Sequence, residues 1–171
     1  MVSILVHKLQ LGQSVVCTDG DGVSLKLLHE NAENTGVSCT DADAPADGMQ
    51  IEKLFWGKDV GAFICKYPRI DLILAADVVY EEGQIEPLLS TTVAILRNAV
   101  STQAPPSAAD GKKTAEAATE HPSQPRFILA YARRNVPIDR VYDCAVRLGM
   151  HHCVLEGGEE PIVEFTLARG T

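Results

Sequence analysis

The chain lacks most features that would mark it as a secreted or membrane protein. No apolar run approaches the roughly 18 residues of a membrane helix, and the first eight residues lack the basic region of a secretory signal. No Cys-x-x-Cys pair occurs, and the odd number of cysteines, five, argues against a disulfide framework or a four-thiolate zinc site. We therefore expect a soluble chain in a reducing compartment, either the cytosol or the nucleus. The cysteines are Cys17, Cys39, Cys65, Cys144 and Cys153.

Positive charge and aromatic side chains are also scarce. The 15 Lys and Arg residues against 23 Asp and Glu residues give a net charge of −8, and aromatic residues make up 5% of the chain. This charge has the wrong sign for a protein that neutralises phosphates, so no nucleic-acid partner is expected. Apolar residues make up 46% of the 171 positions, enough to bury a core, and the length predicts a single domain over residues 1–171.

The apolar pattern predicts strands alternating with helices. Continuous or alternating apolar residues predict strands at 15–18, 49–55, 72–76 and 127–132, and the run at 72–76 is typical of a strand buried on both faces. Helical spacing predicts helices near the N-terminus, over 21–34, over 85–100 and from 137 to a stop at Gly149. An antiparallel hairpin is predicted for residues 153–155 and 162–167, and a loop is predicted for 39–48. The Pro-, Ala- and Ser-rich segment 101–125 is predicted to be a flexible, disordered insertion. The sequence thus predicts an α/β fold with a mostly parallel sheet.

Polar residues at the carboxyl ends of the predicted strands are the first candidates for a ligand site, because ligands of such sheets bind there. Asp19 follows the first strand, where a nucleotide-binding fold places a carboxylate for the ribose hydroxyls. The alternative is that Asp19 or Asp21 only caps the following helix.

A second aspartate directly follows the predicted strand at 72–76. Asp77 and Tyr80 place a carboxylate and a phenol within four residues, a pair suited to holding a cation, unless they only end the strand and pack beside it. Trp56, the only tryptophan, could stack on an adenine or serve as packing. His151 and His152 are adjacent on a strand and point to opposite faces, so no metal site is expected.

Four segments of the chain, taken together and in order, resemble a known protein family, and this combination is far more specific than any single motif. They are 15–19, 25–34, 54–57 and 71–80, and together they resemble the lysine methyltransferase-like family of seven-stranded, S-adenosylmethionine-dependent methyltransferases. That family has a D-x-x-Y signature after its fourth strand, and Asp77-Val78-Val79-Tyr80 matches it. The resemblance covers nearly the whole chain apart from the insertion at 101–125. It implies a Rossmann-like, seven-stranded sheet, mostly parallel, with a C-terminal antiparallel hairpin.

The resemblance also implies a cofactor, a substrate and site residues. S-adenosylmethionine would be the cofactor, and the methyl group would go to a lysine side chain of a protein, such as a chaperone or a translation factor. Asp19 would hold the ribose, Trp56 would lie against the adenine, and Ala76 would border the methionine part. Asp77 and Tyr80 would be the catalytic residues facing the lysine, with Asp77 orienting the cation rather than acting as a strong base. A monomer is expected.

One departure from the family pattern concerns the region before Asp19. The ribose-binding acid normally lies about 20 residues after a glycine-rich loop, and counting back from Asp19 reaches the first residue without one. In the family, the missing first strand lies between the second and the fourth, so two strands here should each keep an unpaired edge. The explanations are a truncated form, an incomplete gene model or a partner that fills the space.

Two functions follow from this departure. The chain is either the bulk of a protein-lysine methyltransferase or a non-catalytic fragment that acts as an interaction module. A nicotinamide-dependent oxidoreductase would share the sheet and the ribose acid, but it would leave the segment from Asp77 to Tyr80 unexplained.

Overall fold

The computed structural model of the chain describes residues 2–40, 49–103, 124–132 and 135–168. These residues form two compact units, the first ending at Asp59 and the second beginning at Val60. Most of the predicted insertion at 101–125 lies outside the described residues, and so does most of the predicted loop at 39–48.

The first unit is a small parallel sheet with two helices. Its sheet has the order β1-β3-β2, and both pairings are parallel. Val15 pairs with Met49 and Asp19 pairs with Lys53, so β1 and β3 end at the same level. The elements are α1 (Val2–Lys8), β1 (Val15–Asp19), α2 (Gly22–Asn34), β2 (Cys39–Thr40) and β3 (Met49–Lys53).

Apolar side chains from both helices and the three strands form the core of this unit. The buried members are Ile4, Val15, Ala32, Val37 and Met49. The chain leaves α2 through Gly36, whose φ of +71° is a left-handed conformation that glycine adopts without steric cost. The predicted helix over 21–34 and its stop are confirmed.

The second unit is a mixed sheet with helices. Its strand order is β4-β5-β7-β6, in which β4 and β5 are parallel and the other two pairings are antiparallel. The elements are α3 (Val60–Lys66), β4 (Leu72–Ala76), a 3₁₀ turn (Glu82–Gln84), α4 (Ile85–Gln103), β5 (Arg126–Ala130), α5 (Ile138–Arg147), β6 (Met150–Glu156) and β7 (Ile162–Leu167).

The core of the second unit lies on β5, β7 and the helices that cover them. Phe127 and Phe165 pair across β5 and β7 with their rings stacked 5.6 Å apart. Leu89 and Leu96 of α4 and Val141 of α5 are fully buried. Pro137 precedes α5 and Gly149 follows it with φ +78°, so the predicted start and stop of this helix are confirmed.

The prediction that the strand at 72–76 is buried on both faces is wrong. Leu72 and Leu74 of β4 are 41% and 39% exposed. The reason is position: β4 is the end strand of its sheet, and within the described residues only β5 pairs with it. In the first unit, β1 is likewise an end strand. Each sheet therefore ends in an apolar strand with one edge that no strand in the described part of the chain pairs with.

The predicted α/β fold with parallel and antiparallel pairing is confirmed, whereas a continuous seven-stranded sheet remains a prediction. The periodicity missed α3, a short helix that packs on α4. It also ended α4 too early, because Ser101 to Gln103 are helical. Pro125, which the sequence placed in the insertion, is fully buried. Across the described ranges, no helix has the length and apolarity needed to cross a membrane.

Candidate functional site

The first candidate site lies where β1 and β3 end together. The backbone N–H of Leu54 donates to the carbonyl of Asp19 at 3.0 Å, which extends the pairing one step beyond the strands. Lys53 stands opposite Asp19 in the register. This end of the sheet therefore carries one acidic and one basic side chain on neighbouring strands.

The carboxylate of Asp19 is held by the turn that follows it. Its Oδ1 accepts the backbone N–H of Asp21 at 2.8 Å, a local bond that fixes the direction of the carboxylate. The side chain is exposed, and Oδ2 has no hydrogen-bond partner among the described residues. One oxygen is thus used by the fold, while the other can accept a hydrogen bond from a ligand.

Helix capping belongs to Asp21 rather than to Asp19. Asp21 has an extended backbone, and its Oδ2 accepts the backbone N–H of Ser24 at 2.9 Å and the Ser24 hydroxyl at 3.1 Å. These hydrogen bonds lower the pKa of the Asp21 carboxyl. The capping alternative is confirmed for Asp21, which leaves Asp19 outside the helix.

Two aromatic residues follow β3 at this end of the first unit. Phe55 is 47% exposed and lies so close to Gly20 that a Cβ added there would be 3.1 Å from its Cδ1. The Lys53 ammonium lies 5.0 Å from the centre of the Phe55 ring. Trp56 comes next and is half-buried. The sequence singles out Trp56 as a site residue and predicts Phe55 only as the end of the strand over 49–55, because no sequence pattern pairs Phe55 with Gly20.

The second candidate site lies at the end of β4. Ala76 is the last residue of the strand, is exposed and pairs with Ala130 of β5. Asp77 follows with φ +51°, a left-handed conformation that is uncommon for residues other than glycine but tolerated by aspartate. Its backbone N–H donates to the Ala130 carbonyl at 3.0 Å, so the β4–β5 pairing continues through the turn.

The rest of this segment is fixed by burial and by a side-chain hydrogen bond. Val79 is buried, whereas the side chain of Tyr80 is 50% exposed. The backbone N–H of Tyr80 donates to Oε1 of Gln84 at 3.2 Å. Asp77 is half-buried. The sequence analysis missed Gln84, since a glutamine four residues after a motif has no pattern that distinguishes it from a surface residue.

The five predicted site residues fall into two groups. Asp19 and Trp56 belong to the first unit, where Asp19 is the last residue of β1 and Trp56 follows the end of β3. Ala76, Asp77 and Tyr80 belong to the second unit, where Ala76 ends β4 and the other two lie in the segment that directly follows it. The predicted strand-end locations are therefore correct within each unit.

A separate surface cleft of the second unit contains none of these residues. It is formed by the 3₁₀ turn, the start of α4 and one side of α5, and it carries both charge signs. Arg140 reaches Glu82 at 3.5 Å between two exposed side chains, an arrangement that contributes little to stability. Its lining includes Glu82, Glu86, Arg140, Asp143, Cys144 and Arg147.

The histidine pair on β6 has a packing role on one side. The ring of His152 stacks on Tyr142 of α5, 4.2 Å apart and nearly parallel. In the ranges that the structure describes, no three His, Cys, Asp or Glu side chains gather in a group able to hold a metal ion.

Fold and site together define an α/β protein whose candidate ligand groups follow parallel strands, as in nucleotide-cofactor-binding folds. The sequence profile of the lysine methyltransferase family matches residues 1–104, which is more than half of the chain, so the chain belongs to that family. The match includes Asp19, Trp56 and the whole segment from Ala76 to Tyr80. No curated protein matches the sequence significantly.

Proposed function

We propose that the chain is an S-adenosylmethionine-dependent methyltransferase that acts on a lysine side chain of a protein substrate. The observation that carries this proposal is the segment from Asp77 to Tyr80, which lies within the family match and whose backbone is held at both ends. Membership of the family supports methyl transfer as the reaction. The carboxylate and the phenol of this segment support a basic amine as the acceptor.

The residues at the end of β1 fit a ribose. Asp19 keeps Oδ2 without a partner among the described residues, while its other oxygen is fixed by Asp21, so the carboxylate is oriented before a ligand arrives. Asp19 would accept hydrogen bonds from the ribose, and Trp56 would cover the adenine. Ala76 would border the methionine part, where its small side chain leaves room. S-adenosylmethionine supplies the methyl group, bound to a positively charged sulfur.

Asp77 and Tyr80 would receive the lysine. A carboxylate attracts the lysine ammonium and orients it, and the phenol offers a second polar contact beside it. The free amine has to form before it can attack, because the ordinary pKa of lysine is about 10.4. Asp77 would orient the cation, and the proton would pass to water or transiently to a neighbouring group. The contribution of these residues is alignment and exclusion of water.

We also propose a cellular compartment and an oligomeric state for the enzyme. All five cysteines are free thiols in the structure, which supports a reducing compartment, the cytosol or the nucleus. The net charge of −8 supports a lysine-rich protein substrate, because an acidic surface attracts lysine-rich segments. The enzyme would act on this separate protein as a monomer.

Calorimetric titration tests the proposal directly. S-adenosylmethionine and S-adenosylhomocysteine are titrated into the 171-residue chain after circular dichroism has shown that it is folded. We expect micromolar binding of both ligands, and much weaker binding by Asp19→Ala. Asp21→Asn is the matched control, since asparagine also caps a helix and Asp21 is assigned no ligand contact.

The result then separates the two functions that the sequence left open. Binding followed by methylation of a lysine-containing acceptor would support the enzyme. A folded chain that binds neither ligand would overturn the cofactor assignment and leave the interaction module as the better account.

A further inference from the structure

The contacts that hold the segment from Asp77 to Tyr80 include one at Asp77, one at Val79 and one at Tyr80, and the last is unlike the other two. Asp77 is tied to Ala130 by a backbone hydrogen bond of 3.0 Å, and Val79 is 3% exposed. Both anchors are ordinary parts of a sheet and its core. The third anchor, at Tyr80, is the amide side chain of Gln84, which accepts the Tyr80 backbone N–H at 3.2 Å.

Gln84 itself is fixed by the elements around it. It ends the 3₁₀ turn Glu82–Gln84, and its backbone N–H donates to the Glu81 carbonyl at 3.1 Å. The next residue, Ile85, is 3% exposed and begins α4. The side chain of Gln84 therefore extends from a turn that is joined directly to the core of the second unit.

Tyr80 depends on its backbone for its direction more than a buried residue does. Its side chain is 50% exposed, so neighbouring residues cover only half of it. The backbone of a residue fixes its Cα–Cβ bond and thereby the rotamers that its ring can adopt. A hydrogen bond to the Tyr80 backbone fixes the point from which the phenol projects.

We propose that Gln84 is a positioning residue that fixes the backbone of Tyr80 and thereby the direction of its phenol toward the acceptor lysine. The inference rests on the proposed function for its catalytic consequence, but the positioning itself can be measured without any substrate. The chemistry needed at position 84 is a hydrogen-bond acceptor on a side chain of glutamine length. Glutamate supplies that acceptor at neutral pH, and leucine of similar size does not.

The test compares Gln84→Leu with Gln84→Glu. Amide hydrogen exchange of Tyr80 is followed by NMR, with the Leu129 amide in the core of β5 as a monitor of global opening. We expect exchange at Tyr80 to be faster by about tenfold in Gln84→Leu, with Leu129 unchanged, and to return toward the native rate in Gln84→Glu. Gln124→Leu is the matched control, because it removes a glutamine hydrogen bond to the Leu167 carbonyl in the same unit.

Kinetics supply the second measurement, with poly-L-lysine as the acceptor. We expect kcat to fall by about tenfold in Gln84→Leu, with the KM for S-adenosylmethionine unchanged and kcat restored in Gln84→Glu. An unchanged Tyr80 exchange rate in Gln84→Leu would overturn the inference. So would faster exchange at Tyr80 and Leu129 together, or no recovery in Gln84→Glu. A native chain that methylates no lysine would instead contradict the proposed function, and the exchange result would still decide the role of Gln84.

Discussion

Asp19 is the last residue of a short apolar strand and Asp77 directly follows another, yet the two turns are built differently. Asp19 uses its own side chain, whose Oδ1 accepts the Asp21 backbone N–H. Asp77 uses its backbone, which adopts φ +51° and donates to Ala130 of the neighbouring strand. The first turn is therefore closed by a carboxylate, whereas the second is closed by the backbone.

This difference agrees with the two separate roles that we propose for Asp19 and Asp77. An aspartate that stabilises its own turn holds its carboxylate in a fixed direction, which suits recognition of one rigid ligand. An aspartate held by its backbone in a sparsely populated conformation carries a local cost of about 1 kcal/mol, which the β4–β5 pairing offsets. Such strain at the end of a strand is typical of functional sites.

Replacing Asp77 should give the largest effect. We expect Asp77→Asn to lower methyl transfer by about 100-fold, because a charge-assisted contact to the lysine is lost, while the left-handed backbone is kept, since asparagine tolerates it. Asp77→Ala should lose the same activity and also about 1 kcal/mol of stability. The measurements are initial rates of methyl transfer and thermal unfolding.

Asp71→Asn is the control for Asp77. It removes a charge at the opposite end of β4, where the exposed Asp71 carboxylate lies 3.4 Å from Arg69, and it should leave the rate unchanged. If Asp77→Asn weakened binding of S-adenosylmethionine instead of the rate, Asp77 would belong to the cofactor side and the proposed division between the two turns would fail.

Replacing Asp19 should give the next largest effect, on affinity rather than on rate. Loss of charge-assisted hydrogen bonds to the ribose corresponds to about 1.5–3 kcal/mol, or a rise in Kd of about 10- to 100-fold. Calorimetry with S-adenosylhomocysteine measures this change without the complication of turnover. Equal affinities of Asp19→Ala and the native chain would remove the ribose role from Asp19.

The sequence predicted the strand ends well, because an apolar run followed by aspartate and then by a helical pattern leaves few alternatives. It placed Asp19 and Asp77 correctly for this reason. It could not predict that β4 exposes Leu72 and Leu74, since burial depends on how many neighbours a strand has, which is a property of the whole sheet. A run of apolar residues has the same composition at the centre of a sheet and at its end.

The contacts that support the site were harder to predict than the site itself. The contacts of Gln84 and Phe55 depend on the folded structure rather than on a sequence pattern. The side chain of Gln84 accepts a hydrogen bond from the Tyr80 backbone, and the ring of Phe55 lies against Gly20. Neither residue type implies its partner. Sequence reasoning finds groups whose chemistry is distinctive, and it misses a neutral group such as the Gln84 amide, whose hydrogen bond to the Tyr80 backbone forms only in the folded chain.

A smaller effect is expected at Gly20, beside the Asp19 turn. A methyl group there would approach Cδ1 and Cε1 of Phe55 to 3.1 and 3.2 Å, so the exposed ring must move by a few tenths of an ångström. We expect Gly20→Ala to lower the free energy of unfolding by less than about 1 kcal/mol, as measured by urea denaturation. In the Phe55→Ala background the same substitution should cost nothing. An equal cost in both backgrounds would show that backbone conformation, rather than the ring, requires glycine.

The smallest effect concerns the pH dependence of Asp21, which separates helix capping from the ligand role of Asp19. Hydrogen bonds from Ser24 lower the pKa of Asp21, so its contribution to stability is complete above the ordinary carboxyl value of about 4 and is lost as the pH falls through the lowered value. An asparagine at this position would cap the helix without titrating.

Thermal unfolding of the native chain and of Asp21→Asn between about pH 7 and about pH 2.5 measures this contribution. We expect a constant difference in Tm from about pH 7 to about pH 5, and a fall in the Tm of the native chain relative to Asp21→Asn below about pH 4. Ser24→Ala, which removes only the hydroxyl bond and keeps the larger backbone contribution, should retain most of this acid dependence. Parallel curves for the native chain and Asp21→Asn would mean that the Asp21 carboxylate is no better stabilised in the folded chain than in the unfolded one, which would contradict its role as the cap of α2.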